Sequence, residues 1–324
     1  MPTDLLPVPL HKQELDSEFD YTFAIITRRQ GTLLMDKLSP NVYVETGYRG
    51  STVGAIITPL GVICVDTPLL PTDARHWRQQ IAQLTRQPIA YLIYTDGHRD
   101  RVLGHQWLGG QPVAHEATWE KMRSYGDALR QQVVEFLTHH GAPDAATEIS
   151  QHLQLGLPQL TMSDGGSLTL CTSKPWVTVR PVGGANAGSV WVELPDQGIL
   201  FAGDLVTLNT HPFMSEANTK LWLERLAELL APNYFAGKVV PGRGTTFRRA
   251  EAQKVADYLT DMRTEVQQMS TAKRGKFDAT ELAPKFIDRF PGLPGEHERA
   301  QRRVKAGLER VAEEIKAEKH RRKR

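Results

Sequence analysis

The chain has 324 residues, of which 40% are hydrophobic and 23% charged, and its net charge is +2. These are ordinary values for a globular protein, and they do not favour nucleic acid or an acidic surface as a partner. The N-terminus carries no recognisable secretory signal and no apolar stretch approaches the ~18 residues of a membrane span, so we expect a cytoplasmic protein without a membrane partner.

The first half of the chain alternates β-rich runs with stretches of helical spacing. Residues 1–40 are weakly patterned and are predicted to form an N-terminal extension. Trp77, Ile81 and Leu84 recur at helical spacing, which predicts a helix around them. The expected strands are 42–46, 51–57, 61–66, 89–94 and 112–115, and the expected helices are 71–86 and 117–140.

The second half repeats this rhythm with short strands. The expected strands are 167–171, 176–181, 189–194, 198–201 and 238–241, the expected helix is 219–230, and the chain from 248 is helical and polar. Two strand-rich halves that each carry helices predict two sheets packed face to face with helices outside. The predicted fold is therefore an α+β, four-layer αββα sandwich at 41–247, followed by a helical C-terminal segment with a basic tail at 248–324.

The two cysteines, Cys64 and Cys171, lie in strand-like runs. Buried free thiols are expected there rather than a disulfide. The sequence contains no Cys-x-x-Cys pair, so a zinc site built from thiolates is not expected.

A charged loop, Thr95-Asp96-Gly97-His98-Arg99-Asp100-Arg101, follows the predicted strand at 89–94. It resembles the signature loop of the metallo-β-lactamase superfamily, which runs Thr-His-x-His-x-Asp-His. Three later segments resemble the remaining family motifs in order and spacing: Gly184-Ala185-Asn186-Ala187-Gly188-Ser189, Phe201-Ala202-Gly203-Asp204 and Pro241-Gly242-Arg243-Gly244. The resemblance covers roughly residues 40–260, and it implies the αββα fold.

The resemblance also implies a hydrolase with one or two metal ions, usually zinc, at the junction of the sheets. Histidine and carboxylate ligands on rigid strand ends suit zinc. His98, Asp100 and Asp204 stand at the family's second His, its Asp and its bridging Asp. Asp96 stands at the first His position and is a possible substitute ligand.

The other ligand positions depart from the family pattern. Arg101, Ala185 and Arg243 each stand where the family has a ligating His. Arginine stays protonated and cannot bind a metal, but its guanidinium can neutralise carboxylates such as Asp100 and Asp204 through paired hydrogen bonds. The substitutions therefore predict a metal-free, non-catalytic homologue with an Arg/Asp network in the former active cleft.

Two ligand classes follow from these positions. In the metal-free interpretation, a small anion could bind through Arg99, Arg101 and Arg243, and Asn186 and His211 are further candidate contacts. Asn186 fits a turn equally well, and His211 also fits a role in capping its loop. The alternative is a mononuclear site in which Asp96, His98 and Asp204 hold one divalent ion, for which manganese, iron and zinc are the candidates. Asp100 would then act as the general base in hydrolysis of an ester, thioester or phosphoester.

The C-terminal segment suggests a third function. Val304, Leu308, Val311 and Ile315 recur at helical spacing, and the chain ends in the basic tail 319–324. The pattern fits a helix docked on the domain. It also fits an interaction protein that forms a homodimer through this helix. Nucleic acid is not favoured, because the basic cluster is short and contains no aromatic residues.

Overall fold

The computed structural model describes residues 35–48, 50–139, 141–208, 210–272, 277–290 and 297–321. Most of the predicted N-terminal extension and the last three residues of the basic tail lie outside these ranges. The strands are β1 (Asp36–Ser39), β2 (Val42–Glu45), β3 (Val53–Thr58), β4 (Gly61–Val65), β5 (Ile89–Ile93), β6 (Gln111–His115), β7 (Leu160–Met162), β8 (Leu168–Cys171), β9 (Val177–Pro181), β10 (Val190–Leu194), β11 (Ile199–Gly203), β12 (Lys238–Pro241) and β13 (Phe247–Arg248).

The helices fall between and after these strands. They are α1 (Pro71–Leu84), α2 (Arg99–Val102), α3 (His105–Leu108), α4 (Glu116–Arg123), α5 (Asp127–His139), α6 (Pro143–His152), α7 (Thr219–Leu230), α8 (Gln253–Ala272), α9 (Ala279–Leu282), α10 (Pro284–Ile287) and α11 (His297–Arg321). In the described part of the chain, none of them is long and apolar enough to cross a membrane.

The strands form two mixed sheets. The first runs β1-β2-β3-β4-β5-β6-β7, and the second runs β13-β12-β11-β10-β9-β8. In the first sheet β1 to β4 pair antiparallel and β4 to β7 pair parallel. In the second sheet only the β11–β12 pair is parallel. Parallel neighbours end at the same edge of a sheet, which brings the residues that follow them together.

The four layers arise because successive side chains of the buried strands pack on opposite faces. In β4, Val62 and Cys64 pack under the helices of the first half, whereas Ile63 and Val65 pack against the other sheet. Successive side chains of a strand point to opposite faces, so a strand that is apolar throughout must be covered on both sides. In β10, Trp191 likewise packs on the opposite side from Val190 and Val192, under the helices of the second half. The predicted αββα sandwich is therefore confirmed.

Several boundaries differ from the prediction. The helix expected at 117–140 is interrupted between α4 and α5, where Gly126 has low helix propensity and the Tyr125 hydroxyl donates to the Gly97 carbonyl. Helix α6 was not predicted, although Pro143 at its first turn is a typical start signal. The sheet begins at Asp36, earlier than the expected boundary at 41.

The C-terminal helices complete the outer layer of the second sheet. Val304, Leu308, Val311 and Ile315 of α11 belong to the same buried cluster as residues of α7 and α8. The apolar face of α11 is therefore covered by its own chain, and a homodimer through this helix would have to use its charged face. Cys64 and Cys171 are buried free thiols, as expected.

Candidate functional site

The candidate site lies where four strand ends from both sheets meet. Asp66 follows β4, Asp96 follows β5, Asp204 follows β11 and Arg243 follows β12. Asp66 adopts a φ of 57°, in the left-handed region that non-glycine residues rarely occupy. Its carboxylate accepts hydrogen bonds from the Thr95 amide (2.8 Å) and the Thr95 hydroxyl (2.7 Å), which fix this turn against the end of β5.

Arg101 occupies the centre of the site. It lies on the single turn of α2, and none of its side chain is exposed. Its Nη1 donates to Asp66 Oδ2 at 2.9 Å and its Nη2 donates to Asp204 Oδ1. Its Nε is 3.0 Å from Asp96 Oδ1, within ion-pair distance but without hydrogen-bond geometry. One guanidinium therefore contacts three carboxylates from both sheets.

Arg243 extends the network to the fourth carboxylate. Both of its terminal nitrogens donate to Asp100, and its Nη2 also donates to Asp204 Oδ2 at 3.4 Å. Its Nη1 donates to the Gly50 carbonyl at 2.5 Å. Asp204 is thus shared between two guanidiniums. Asp66, Asp96, Asp100 and Asp204 form one continuous buried network with Arg101 and Arg243, hereafter the Arg/Asp cluster.

The guanidiniums hold three of the carboxylates in their charged form. Burial by itself would raise the pKa of Asp96, Asp100 and Asp204, but the neighbouring positive charges outweigh it and lower all three. Burial would lower the pKa of Arg101 and Arg243, but the carboxylates outweigh it and raise both. The partners stabilise each other's charges because no solvent competes for them.

Asp66 behaves differently from the other carboxylates. Burial raises its pKa to about 6, the nearby charge of Asp96 adds to this, and the contact with Arg101 only partly opposes it. We interpret this as the result of sharing Arg101, because a guanidinium that neutralises several acids cannot compensate each of them fully. Asp66 is therefore the carboxylate of the Arg/Asp cluster that is most easily protonated.

Three residues in the described part of the chain could together hold a metal ion. Ligand atoms of Asp96, His98 and Asp204 all lie within 4.8 Å of one another. His98 Nδ1 is 2.8 Å from Asp96 Oδ1 and 3.8 Å from Asp204 Oδ2. Asp96 Oδ2 is buried without a hydrogen-bond partner among the described residues. The same two carboxylates are contacted by Arg101, so a cation and this guanidinium would compete for them.

The structure distributes the other predicted site residues unevenly. Arg99 is buried at the start of α2. Asn186 is buried in the turn before β10, where its Oδ1 accepts from the Gly188 amide at 2.9 Å and its Nδ2 has no partner among the described residues. Ala185, at a family His position, packs in the apolar cluster under the outer helices of the second sheet.

The two ring nitrogens of His211 face the C-terminal helices, which fits the structural role expected for it, and its contact with a ligand stays a prediction. Its Nδ1 is 3.2 Å from the Tyr258 hydroxyl and its Nε2 is 3.0 Å from the Ile287 carbonyl. Its ring also meets Phe290 edge to face. Burial lowers its pKa to about 4. The sequence could not reveal this, because these partners come from the C-terminal helices.

Sequence reasoning missed the roles of Asp66 and Gly242. The signal for Asp66 was a charged residue directly after a fully apolar strand. Gly242 packs so closely on Arg101 and Asp204 that a Cβ at this position would overlap both side chains, so only glycine fits there.

No protein family model and no curated protein matches the sequence. Among solved structures, a metallo-β-lactamase from Pontibacter korlensis is 22% identical, with a TM-score of 0.52 over 71% of this chain and 99% of that one. One from Erythrobacter litoralis is 17% identical, with a TM-score of 0.54 over 72% of this chain and 98% of that one.

The DIM-1 metallo-β-lactamase is similar to the same extent, at 21% identity and a TM-score of 0.53 over 71% of this chain and 98% of that one. These identities are too low to transfer an activity, since one fold supports many functions. Nearly the whole of each of these enzymes is matched by part of this chain. The chain therefore has the metallo-β-lactamase fold.

Proposed function

We propose that this chain is a non-catalytic homologue of the metallo-β-lactamases in which arginine–carboxylate ion pairs stand in place of the metal centre. The supporting observation is the position of Arg101, fully buried and in contact with Asp66, Asp96 and Asp204. A guanidinium at this point supplies the positive charge that the carboxylates need, and it does so without a bound ion.

Charge and space both support the proposal. A divalent ion between Asp96 and Asp204 would lie beside Arg101, and like charges repel strongly where solvent is excluded. Arg101 cannot lose its proton. Its side chain is completely enclosed by other residues, so it cannot swing out into solvent to make room for an ion. Displacing it would leave a buried charge unpaired, which typically costs about 3–5 kcal/mol.

Metal content tests the proposal. The native protein, purified without chelators and offered zinc, manganese and iron, is expected to retain below about a tenth of an equivalent by plasma mass spectrometry. The variant Asp96→His/Arg101→His/Arg243→His removes both guanidiniums and restores histidine at three family positions. It is expected to retain zinc, which shows that the assay detects a site in this fold.

A mononuclear hydrolase is the second candidate, favoured by the proximity of Asp96, His98 and Asp204. A bound divalent ion would supply a Lewis acid for hydrolysis of an ester, thioester or phosphoester, and Asp100 would be the base. Near one equivalent of metal in the native protein, lost in both His98→Ala and Asp204→Ala, would overturn the first proposal in favour of this one.

Binding of a small anion is a separate proposal for the same residues. Arg101 and Arg243 already contact carboxylates, so an anion would have to compete with Asp100 and Asp204. Titration with phosphate or sulfate tests it. A saturable rise in Tm that is absent in Arg243→Met supports an anion site, and a rise of equal size in both proteins contradicts it.

A further inference from the structure

The segment 210–218, hereafter the cover segment, lies against His98, which itself neighbours Asp96 and Asp204 of the site. The ring of Phe213 meets the ring of His98 edge to face, with 5.3 Å between their centroids. Glu216 forms an ion pair with Lys121 of α4, with 2.8 Å between Oε1 and Nζ. Through these two contacts the cover segment covers His98 and is joined to a helix of the first sheet.

Helix α11 holds the cover segment from its other side. Arg303 Nη1 donates to the Thr210 hydroxyl at 3.0 Å, and Arg310 Nε donates to the Ala217 carbonyl at 2.7 Å. Between these two arginines, Gly307 faces Met214 so closely that a Cβ at Gly307 would lie 2.9 Å from the Met214 sulfur. One helix therefore contacts the segment at its start, middle and end.

Helices α8 and α10 add to this hold through His211, whose ring nitrogens face the Tyr258 hydroxyl and the Ile287 carbonyl. Among the described residues, the segment contacts His98 through the Phe213 ring and α4 through the Glu216 ion pair, and the Asn218 amide donates to the Gly184 carbonyl. Towards the C-terminal helices it makes hydrogen bonds at Thr210, His211 and Ala217, and Met214 packs closely on Gly307. The C-terminal helices therefore hold the segment at four positions along its length.

We propose that α11 is a latch that keeps the cover segment closed over His98, and that small molecules reach the Arg/Asp cluster only when this contact is released. The proposal concerns access and holds whether or not the cluster binds a metal. It gives the C-terminal segment a role beyond packing, because strengthening or weakening its contacts then changes the exposure of a site at the junction of the sheets.

A reversible disulfide provides the most direct test. The ideal Cβ at Gly307 lies 3.5 Å from the Met214 Cβ, at the lower end of the range found in disulfides. The variant Met214→Cys/Gly307→Cys also removes the sulfur that this Cβ would crowd. The native Cys64 and Cys171 are both buried, so they should not compete for the new bond.

Modification of His98 by diethyl pyrocarbonate reports access to the cluster. The tryptic peptide 87–99 contains His98 as its only histidine, so mass spectrometry can follow it separately. The oxidised double-cysteine variant is expected to be modified about tenfold more slowly than the same protein after reduction, which corresponds to ~1.4 kcal/mol of local opening. Equal rates in the two forms would overturn the proposal.

Weakening the latch should have the opposite effect. Arg303→Ala/Arg310→Ala is expected to accelerate modification of His98 about tenfold relative to the native protein. Its control, Lys305→Ala/Lys316→Ala, removes the same charge from exposed positions of α11 and should leave the rate unchanged.

Labelling of the Cys64 thiol, measured in the same arginine variants, separates local from global opening. Cys64 has no exposed surface in the first sheet, so it reacts only when that sheet opens. Faster modification of His98 with an unchanged rate of Cys64 labelling supports the latch. Acceleration of both by the same factor means that the whole domain opens, and no acceleration of His98 means that α11 does not control access; either result contradicts the proposal.

Discussion

Two arginine–carboxylate networks in this molecule use the same chemistry in different surroundings. The Arg/Asp cluster has side chains that are 0–6% exposed. The second network joins Arg263 of α8 to Glu314 and Glu318 of α11, and its side chains are 11–38% exposed. The first replaces solvent entirely, whereas the second still shares its charges with water.

This difference shows that a buried ion pair can be required for folding even when the complete pair adds little to the free energy of unfolding. In the cluster, each charge would be very costly if left unpaired, so the complete set must form together and fixes the strand ends around it. In the second network, which is only partly buried, water can partly compensate a charge whose partner is removed. We therefore expect single substitutions to lower the free energy of unfolding strongly in the cluster and weakly in the second network.

The largest effect is expected for Arg101→Met, which keeps much of the side-chain volume and removes the charge. Three carboxylates would lose their shared partner, so the free energy of unfolding should fall by about 3–5 kcal/mol. Urea denaturation of both proteins measures it. A loss below ~1 kcal/mol would show that the cluster tolerates an unpaired charge, and the comparison between the two networks would fail.

The next effect is a pH dependence that originates at Asp66. Its pKa is raised to about 6 in the folded protein, whereas an unfolded Asp titrates near ~3.9. Between these values the folded state binds more protons, so the contribution of Asp66 to the free energy of unfolding falls as pH rises from about 4 to about 6. The depressed pKa values of Asp96, Asp100 and Asp204 act in the opposite direction, and their contribution is lost only as pH falls below ~4.

Comparison with Asp66→Asn isolates this contribution. The native protein should lose stability relative to the variant as pH rises through the window of about 4 to about 6, with each pKa unit worth about 1.4 kcal/mol. Thermal unfolding of both proteins from pH 4 to 7 provides the measurement. A difference in stability that stays constant or grows in favour of the native protein would mean that Arg101 compensates Asp66 fully.

A smaller effect is expected for Thr95→Val. The Thr95 hydroxyl donates to Asp66 at 2.7 Å and accepts from Arg101 Nη1 at 3.1 Å. Valine has a similar shape but leaves these buried groups one partner short, so the loss should be about 1–3 kcal/mol. Thr169→Val, at an exposed strand position, is the matched control. Equal stabilities of the two variants would contradict the prediction.

The smallest effect is expected at the second, partly buried network. Arg263 Nη1 is 2.9 Å from Glu314 and its Nη2 is 2.9 Å from Glu318. Because these groups remain partly solvated, Arg263→Ala should cost about 0.5–1 kcal/mol, and the cost should shrink in high salt. Urea denaturation at low and high salt tests both points. A salt-independent loss of about 3 kcal/mol would place this network in the same class as the cluster.

The amino-acid sequence by itself determined the layers of the fold and the residues available at the site. The runs Val62-Ile63-Cys64-Val65 and Val190-Trp191-Val192 are apolar throughout, which indicates that both faces of each strand are covered. The sequence also placed charged residues directly after apolar strands. Such patterns are readable because the period of a strand does not depend on distant contacts.

Only the tertiary structure decided the exact pairing of the charges. The sequence predicted that arginines would neutralise Asp100 and Asp204, but it did not predict that Asp66 would share Arg101 with Asp204, 103 positions further along the chain. His211 pairs with the C-terminal helices, and Met214 packs on Gly307. These pairings depend on how the two sheets and the outer helix pack against each other. A buried charge needs a partner close by, and packing determines which residue that is.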